Sequence, residues 1–195
     1  MFQVRIHGRG GQGVVTAAEL LSVAAFQEGR WAQAFPSFGS ERMGAPVMAF
    51  CRIDDREIRS REPVSQPDAL IIQDPTLLNQ VNVFEGLAKD GYVLINTSRP
   101  LEELGIAEFL GRLPAGHVRT VPATELAVKH IGRPAPNTVL LAGMCAVTGK
   151  LKLASVESAI SQKFRAKVAE SNIAAAREAY AHVSGTPSKG ALAHA

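Results

Sequence analysis

The chain opens on Phe2–Ile6 (FQVRI), where apolar and polar side chains alternate with the period of a half-buried strand. From Val14 the period changes. Val14, Ala18, Leu21 and Ala25 recur at helical spacing, Val15 widens the stripe, and Glu19 and Ser22 fall off it, which predicts a helix over Val14–Glu28. Gly29 suits the end of that helix. Trp31–Phe35 reads as a short second strand and Pro46–Ile53 (PVMAFCRI) as a third, with a short return strand at Glu57–Arg59 across the Asp54-Asp55 turn. Ala69–Gln73 (ALIIQ) and Tyr92–Asn96 (YVLIN) are continuous apolar runs, the mark of strands buried on both faces. Between them, Asp74-Pro75-Thr76 has the character of a capped helix start and predicts a helix over Leu77–Lys89. After a loop and short helix through Leu110, a strand is predicted near Val118–Val121. The last third reads as helices over Ala123–His130, Asn137–Leu151, Ser155–Phe164 and Lys167–Val183.

Strands alternating with helices predict an α/β fold: a three-layer α/β/α, Rossmann-like single domain over residues 1–183 with a largely parallel sheet. The tail, 184–195, is rich in small and polar residues and is predicted to be flexible. The formal charge is only +3, with no basic stripe interleaved with aromatics, so nucleic acid is not an expected partner. No apolar run approaches the ~20 residues of a membrane span. The N-terminus enters a strand at once, without a signal-peptide pattern, and a cytoplasmic protein is expected. Cys51 and Cys145 belong to no Cys-x-x-Cys pair and read as buried free thiols. A cubane iron–sulfur cluster takes about four thiolates, so this chain alone is not expected to hold one.

The chemistry is concentrated in Gly8-Arg9-Gly10-Gly11-Gln12-Gly13, between the first strand and the first helix. Glycine admits positive φ and close approach to the backbone. The unpaired N–H groups at the start of the next helix, with the helix dipole behind them, suit an anion such as a phosphate. Gly8, Gly10 and Gly13 also spell the dinucleotide fingerprint, but the acidic residue expected about 20 residues on is missing from Trp31–Phe35. No Gly-Lys-Ser/Thr follows the loop either. Three readings stand: a tight turn without ligand, a loop for a phosphate or a partner-chain group, and a full dinucleotide site.

A second dense loop, Pro36–Pro46, carries Ser37, Glu41 and Arg42 among glycines and prolines, toward the same carboxyl edge of the sheet. It reads either as a solvated loop or as a contact for a partner chain or an anion, which arginine binds bidentately. Asn137 opens a long apolar helix, as N-cap or as site residue. His7 is a candidate base beside the glycine loop, against a structural reading as a satisfied strand-end group. His117, His130, His182 and His194 show no metal spacing, and no nucleophile elbow appears. The chain binds something without carrying a catalytic set.

Ile6-His7-Gly8-Arg9-Gly10-Gly11-Gln12-Gly13, Pro36-Ser37-Phe38-Gly39-Ser40-Glu41-Arg42-Met43-Gly44, Asn96-Thr97-Ser98 and Pro136-Asn137-Thr138 together resemble the gamma subunit of the 2-oxoacid:ferredoxin (acceptor) oxidoreductases, over roughly residues 1–182. Met43 departs from the pattern, where arginine is commoner. The resemblance implies a subunit that assembles a larger complex with alpha, beta and ferredoxin-like delta sisters. Those sisters carry thiamine diphosphate with Mg and iron–sulfur clusters, and none is bound by this chain alone. The complex oxidatively decarboxylates a 2-oxoacid to an acyl-CoA and passes the electrons to ferredoxin or another acceptor. Gly8, Arg9, Gly10, Gly11, Gln12, Gly13, Ser37, Glu41, Arg42 and Asn137 form the candidate binding set, with coenzyme A as the candidate ligand. The rival readings are a free-standing NAD(P)-dependent oxidoreductase and a non-catalytic nucleotide-binding module.

Overall fold

The computed structural model describes residues 1–37, 43–60 and 62–185. Six strands form one sheet: β1 (Phe2–Arg9), β2 (Trp31–Pro36), β3 (Pro46–Asp54), β4 (Ala69–Ile72), β5 (Tyr92–Asn96) and β6 (Val118–Val121). Their spatial order is β2-β3-β1-β4-β5-β6. β1, β4, β5 and β6 run parallel, while β3 opposes both its neighbours, β1 and β2. The sheet is therefore mixed and largely parallel, with β3 alone reversed.

Alternation along the strands sorts the side chains between two covers. Val4, Ile6, Cys51, Ile53, Ala69, Ile71 and Leu94 face a layer built from α1 (Val14–Gln27), α3 (Ala123–Ile131), α4 (Asn137–Thr148), α5 (Leu153–Lys163) and α6 (Ala166–Gly185). α4 is buried from Asn137 to Cys145 because it lies between sheet and helix: a Cβ on Gly143 would stand 2.9 Å from Leu94 Cδ2 and 3.4 Å from Val183 Cγ2. Each leucine or isoleucine fully buried in this core contributes about 1.5–3 kcal/mol relative to exposure. On the opposite face Leu70, Ile72, Val93 and Ile95 are covered by Leu77, Val83, Leu104 and Ile106. These come from irregular chain, two 3₁₀ turns (Pro75–Asn79 and Leu101–Leu104) and the edge of the one-turn α2 (Ala107–Leu110). The second helical layer is thus a thin one.

Two elements depart from expectation. The helix predicted over Leu77–Lys89 is a 3₁₀ turn followed by tight turns. Its apolar residues cover a flat sheet face instead of lining one helical stripe. Gly86, at φ 71°, breaks the run where a Cβ would come within 1.9 Å of the Ser65 carbonyl oxygen. The return strand at Glu57–Arg59 does not form, because β3 is already paired on both edges, with β1 through Ile53 and with β2 through Asp54. β1 is longer than its apolar pattern, since Gly8 and Arg9 stay in register with Val47 and Pro46. α6 runs through Ser184 to Gly185, and the rest of the predicted flexible tail lies outside the described residues. No described helix is long and apolar enough to cross a membrane.

Candidate functional site

β1 delivers the chain to the carboxyl edge of the parallel strands, where ligands of open α/β sheets bind. Gly8 and Arg9 still belong to the strand, so the loop proper is Gly10–Gly13. Gly13 is the N-cap of α1 at φ 72°, and a Cβ there would also stand 2.7 Å from Asn137 Nδ2. Gly11 sits at φ 92° with the Met43 sulfur packed where its Cβ would be. Both positions therefore require glycine.

This geometry leaves backbone donors open. The Gly10 amide donates to Ala45 O (2.9 Å) and the Gln12 amide to Arg9 O (3.0 Å). Ala17 makes the first bond of α1, to Gly13 O at 2.9 Å. Among the described residues nothing accepts from the amides of Gly11, Gly13, Val14, Val15 and Thr16. Those residues line a groove of about 430 Å³, together with Met43 and Arg9. A cluster of N–H groups at the start of a 14-residue helix is an anion cradle in both hydrogen bonding and dipole.

Arg9 plays a different part from the one expected. Its Nε donates to Asp74 Oδ2 (3.0 Å), its Nη1 to Gly44 O (3.1 Å), and its Nη2 to Thr76 Oγ1 (2.6 Å) and Gln80 Oε1 (2.9 Å). One bond on Nε, one on Nη1 and two on Nη2 engage four of the five guanidinium hydrogens within the chain. Arg9 is an internal strut, and the positive character of the groove comes mainly from the backbone. Gln12 uses both ends of its amide: Oε1 accepts from the Arg9 amide (2.8 Å) and Nε2 donates to Asp74 Oδ2 (3.1 Å). Asp74 caps the 3₁₀ turn through the Thr76 amide (3.0 Å), as its place before Pro75 predicts. Burial alone would raise its carboxyl, but hydrogen bonds from Thr76 and Gln12 and the Arg9 charge outweigh that and hold its pKa below the usual value.

The second loop joins the first through backbone. Gly44 N donates to Gly10 O at 3.1 Å, and Met43 bridges to Gly10. Glu41 and Arg42 lie outside the described residues. Ser37 is placed elsewhere, beside Met48, whose carbonyl accepts from the Ser37 amide at 2.9 Å. Asn137 is the first residue of α4 and does not cap it; Pro136 holds the N-cap position, and Asn137 Nδ2 turns to Gly13 O at 3.5 Å. The structure thus gathers Gly8, Arg9, Gly10, Gly11, Gln12, Gly13 and Asn137, and sets Ser37 apart.

His7 is no proton carrier. Burial first, and then the neighbouring Arg5 charge, push its pKa down to about 3, and its Nε2 accepts from Arg5 Nε at 3.0 Å. Cys51 and Cys145 are buried, with thiols pushed up to about 12. Two further groups, Asn96 of the Asn96-Thr97-Ser98 motif and Gln73, stand outside the candidate binding set. Asn96 Nδ2 donates to Gln73 O and to Thr124 Oγ1, both at 2.8 Å, and its Oδ1 accepts from the Thr124 amide at 3.1 Å, stapling β4, β5 and α3 beside the groove. Gln73 is buried with neither end of its amide partnered among the described residues. The signal for both was a single polar residue closing an apolar strand.

The edge strand β2 is separated from β1 by the reversed β3. The end of the second strand therefore does not flank the glycine loop, and the position from which an acid would meet a ribose is not built.

Comparison with known proteins agrees with this architecture. Residues 3–182 match the model of the pyruvate ferredoxin/flavodoxin oxidoreductase family. The gamma subunit common to the pyruvate and ketoisovalerate oxidoreductases of Pyrococcus abyssi is 47% identical over 180 residues, 92% of this chain and 96% of that protein. The pyruvate synthase subunit PorC of Methanocaldococcus jannaschii shows the same identity and coverage. The crystal structure of the pyruvate oxidoreductase subunit PORC from Thermotoga maritima superposes with a TM-score of 0.77 at 37% identity, over 92% of this chain and 94% of that one. By sequence and by fold, this chain belongs to the pyruvate ferredoxin/flavodoxin oxidoreductase family.

Proposed function

We propose that the chain is the gamma subunit of a multi-subunit, cytoplasmic, coenzyme A-dependent 2-oxoacid:acceptor oxidoreductase, which converts a 2-oxoacid to an acyl-CoA. What supports this is that its Pyrococcus relative is named the common gamma subunit of the pyruvate and ketoisovalerate oxidoreductases, its Methanocaldococcus relative a pyruvate synthase subunit, and both match it along nearly their whole length. Thiamine diphosphate with Mg, held by a sister subunit, supplies the decarboxylation chemistry, and iron–sulfur clusters on alpha, beta or ferredoxin-like delta sisters take the electrons onward.

The contribution of this chain is binding and assembly. The single observation that carries the reading is the set of amides of Gly11, Gly13, Val14, Val15 and Thr16, unpartnered among the described residues, open to a groove and walled by Met43 of the second loop. These donors hold a phosphate of coenzyme A. The Arg9–Asp74–Gln12 clamp keeps the loop in the conformation that aims them. Glu41 and Arg42, on the loop joined to Gly10 through Met43 and Gly44, meet a sister subunit, and Asn137 fixes α4 against the loop.

The test is the affinity of the assembled enzyme for coenzyme A after Gly11→Val, with subunit content followed by native mass spectrometry. An intact complex whose coenzyme A affinity falls about tenfold or more, with the Michaelis constant for the 2-oxoacid unchanged, is the expected result. An intact complex with unaltered affinity removes the phosphate role.

A further inference from the structure

On the sheet face away from the helices, β1 does not continue the apolar lining of its neighbours. Arg5 and His7 point to that side, and both are buried, at 7% and 4% exposed. Arg5 Nε donates to His7 Nε2 at 3.0 Å, and Arg5 Nη2 donates to the carbonyls of Val83 (3.0 Å) and Glu85 (2.6 Å). Since Nε2 accepts, the neutral imidazole carries its proton on Nδ1. The two residues line a cavity of about 310 Å³ walled by Val47, Met48, Leu77 and Val81. That volume is at the lower end for a small-ligand site. Among the described residues, the glycine-loop groove shares only Val47 with it.

Three observations converge on what this cavity lacks. First, Arg5 is a buried cation without a carboxylate at ion-pair distance among the described residues; its hydrogen bonds go to two carbonyls and an imidazole. Glu85 attracts it only from beyond contact. A buried charge left unpaired is unfavourable, and an anion relieves it. Second, Arg5 Nη1 and His7 Nδ1–H have no acceptor among the described residues, yet neither is sealed away. Third, the walls beyond these two residues are mainly apolar, with Ser37, Asn82 and Glu85 the polar residues among them, so a ligand here has a charged head and a short hydrocarbon body. The imidazole stays neutral, held so by burial and by Arg5, and remains a donor throughout the physiological range.

We propose that this cavity is a carboxylate-binding site, in which Arg5 Nη1 and His7 Nδ1–H hold the carboxylate oxygens while Val47, Met48, Leu77 and Val81 pack the carbon chain. The carboxylate comes from a small free acid or from an acidic side chain of a sister subunit. The site does not depend on the coenzyme A reading, because no atom of the glycine loop takes part.

The purified full-length chain is titrated with 3-methylbutanoate while the His7 ring signals are followed by ¹⁵N-edited NMR, and the titration is repeated calorimetrically on the assembled complex. Saturable binding with a shift of the Nδ1–H resonance is expected. Arg5→Met and, with the charge kept, Met48→Trp each weaken it about tenfold or more. Binding by both chain and complex identifies a free acid as the ligand. Binding by the chain that is lost in the complex identifies an acidic side chain of a sister subunit. No saturable binding to the free chain, or binding undiminished in Met48→Trp and in a folded Arg5→Met, overturns the proposal.

Discussion

Arg9 Nε and Asp74 Oδ2 meet at 3.0 Å, joining the end of β1 to the turn that follows β4. The same carboxylate oxygen accepts from Gln12 Nε2, and its partner oxygen caps the turn through Thr76. One side chain therefore fixes the glycine loop, the strand end and the 3₁₀ turn together. Asp74→Ala removes the cap and leaves Arg9 without its anion in a largely buried setting, and is expected to lower stability by about 1–3 kcal/mol. Urea denaturation at neutral pH measures this, and Asp74→Asn, which keeps an acceptor for the Thr76 amide, falls between the two.

The pH dependence of stability carries a His7 signature. Its pKa is about 3 in the folded chain against an ordinary 6.5, so between these values the unfolded chain binds a proton that the folded chain refuses. Stability from this group is complete above pH 6.5 and declines as pH falls toward about 3. Replacing His7 with Asn is expected to flatten the slope of unfolding free energy against pH in the acid range by up to ~1.4 kcal/mol per pH unit. Urea titrations of both proteins at several pH values below neutrality check it; an unchanged slope places His7 in contact with water.

Gly13→Ala forces a side chain into the left-handed region at φ 72° and against Asn137. The strain and the collision are expected to cost more than about 1 kcal/mol. Thermal unfolding of the purified variant reads this loss directly, and a stability equal to wild type contradicts the φ assigned to Gly13.

Cys51 and Cys145 are buried, with thiols pushed up to about 12, so the folded chain presents almost no thiolate. Ellman's reagent at pH 8 is expected to leave the native protein unlabelled over minutes and to titrate both thiols in guanidinium chloride. Rapid labelling of the native chain contradicts this packing.

Much of the fold was legible because the sheet interior admits few readings. ALII and YVLI are short runs, apolar on consecutive positions, which suit a strand covered on both faces. The segment after Asp74 reads as a helix because Leu77, Val83, Phe84 and Leu87 satisfy helical spacing as well as they satisfy a chain laid across a flat apolar face. Glycine positions located the site, and the amide of Gln12 uses both its donor and its acceptor, as its chemistry allows. The role of Arg9 was not legible. Its partner Asp74 is 65 residues away, and only the β1–β4 pairing brings the two together. The Arg5–His7 pair was hidden for the same reason: alternation says that the two share a face, but not that a cavity lies over it.

The central claim is that this chain contributes backbone donors and assembly surface while its sisters make and break bonds. It is tested most directly by assaying coenzyme A-dependent 2-oxoacid oxidation with the purified chain alone and with the complex it co-purifies with. The account predicts no turnover by the chain and robust turnover by a complex containing iron and thiamine diphosphate; oxidation of a 2-oxoacid or of a reduced pyridine nucleotide by the isolated chain would contradict it.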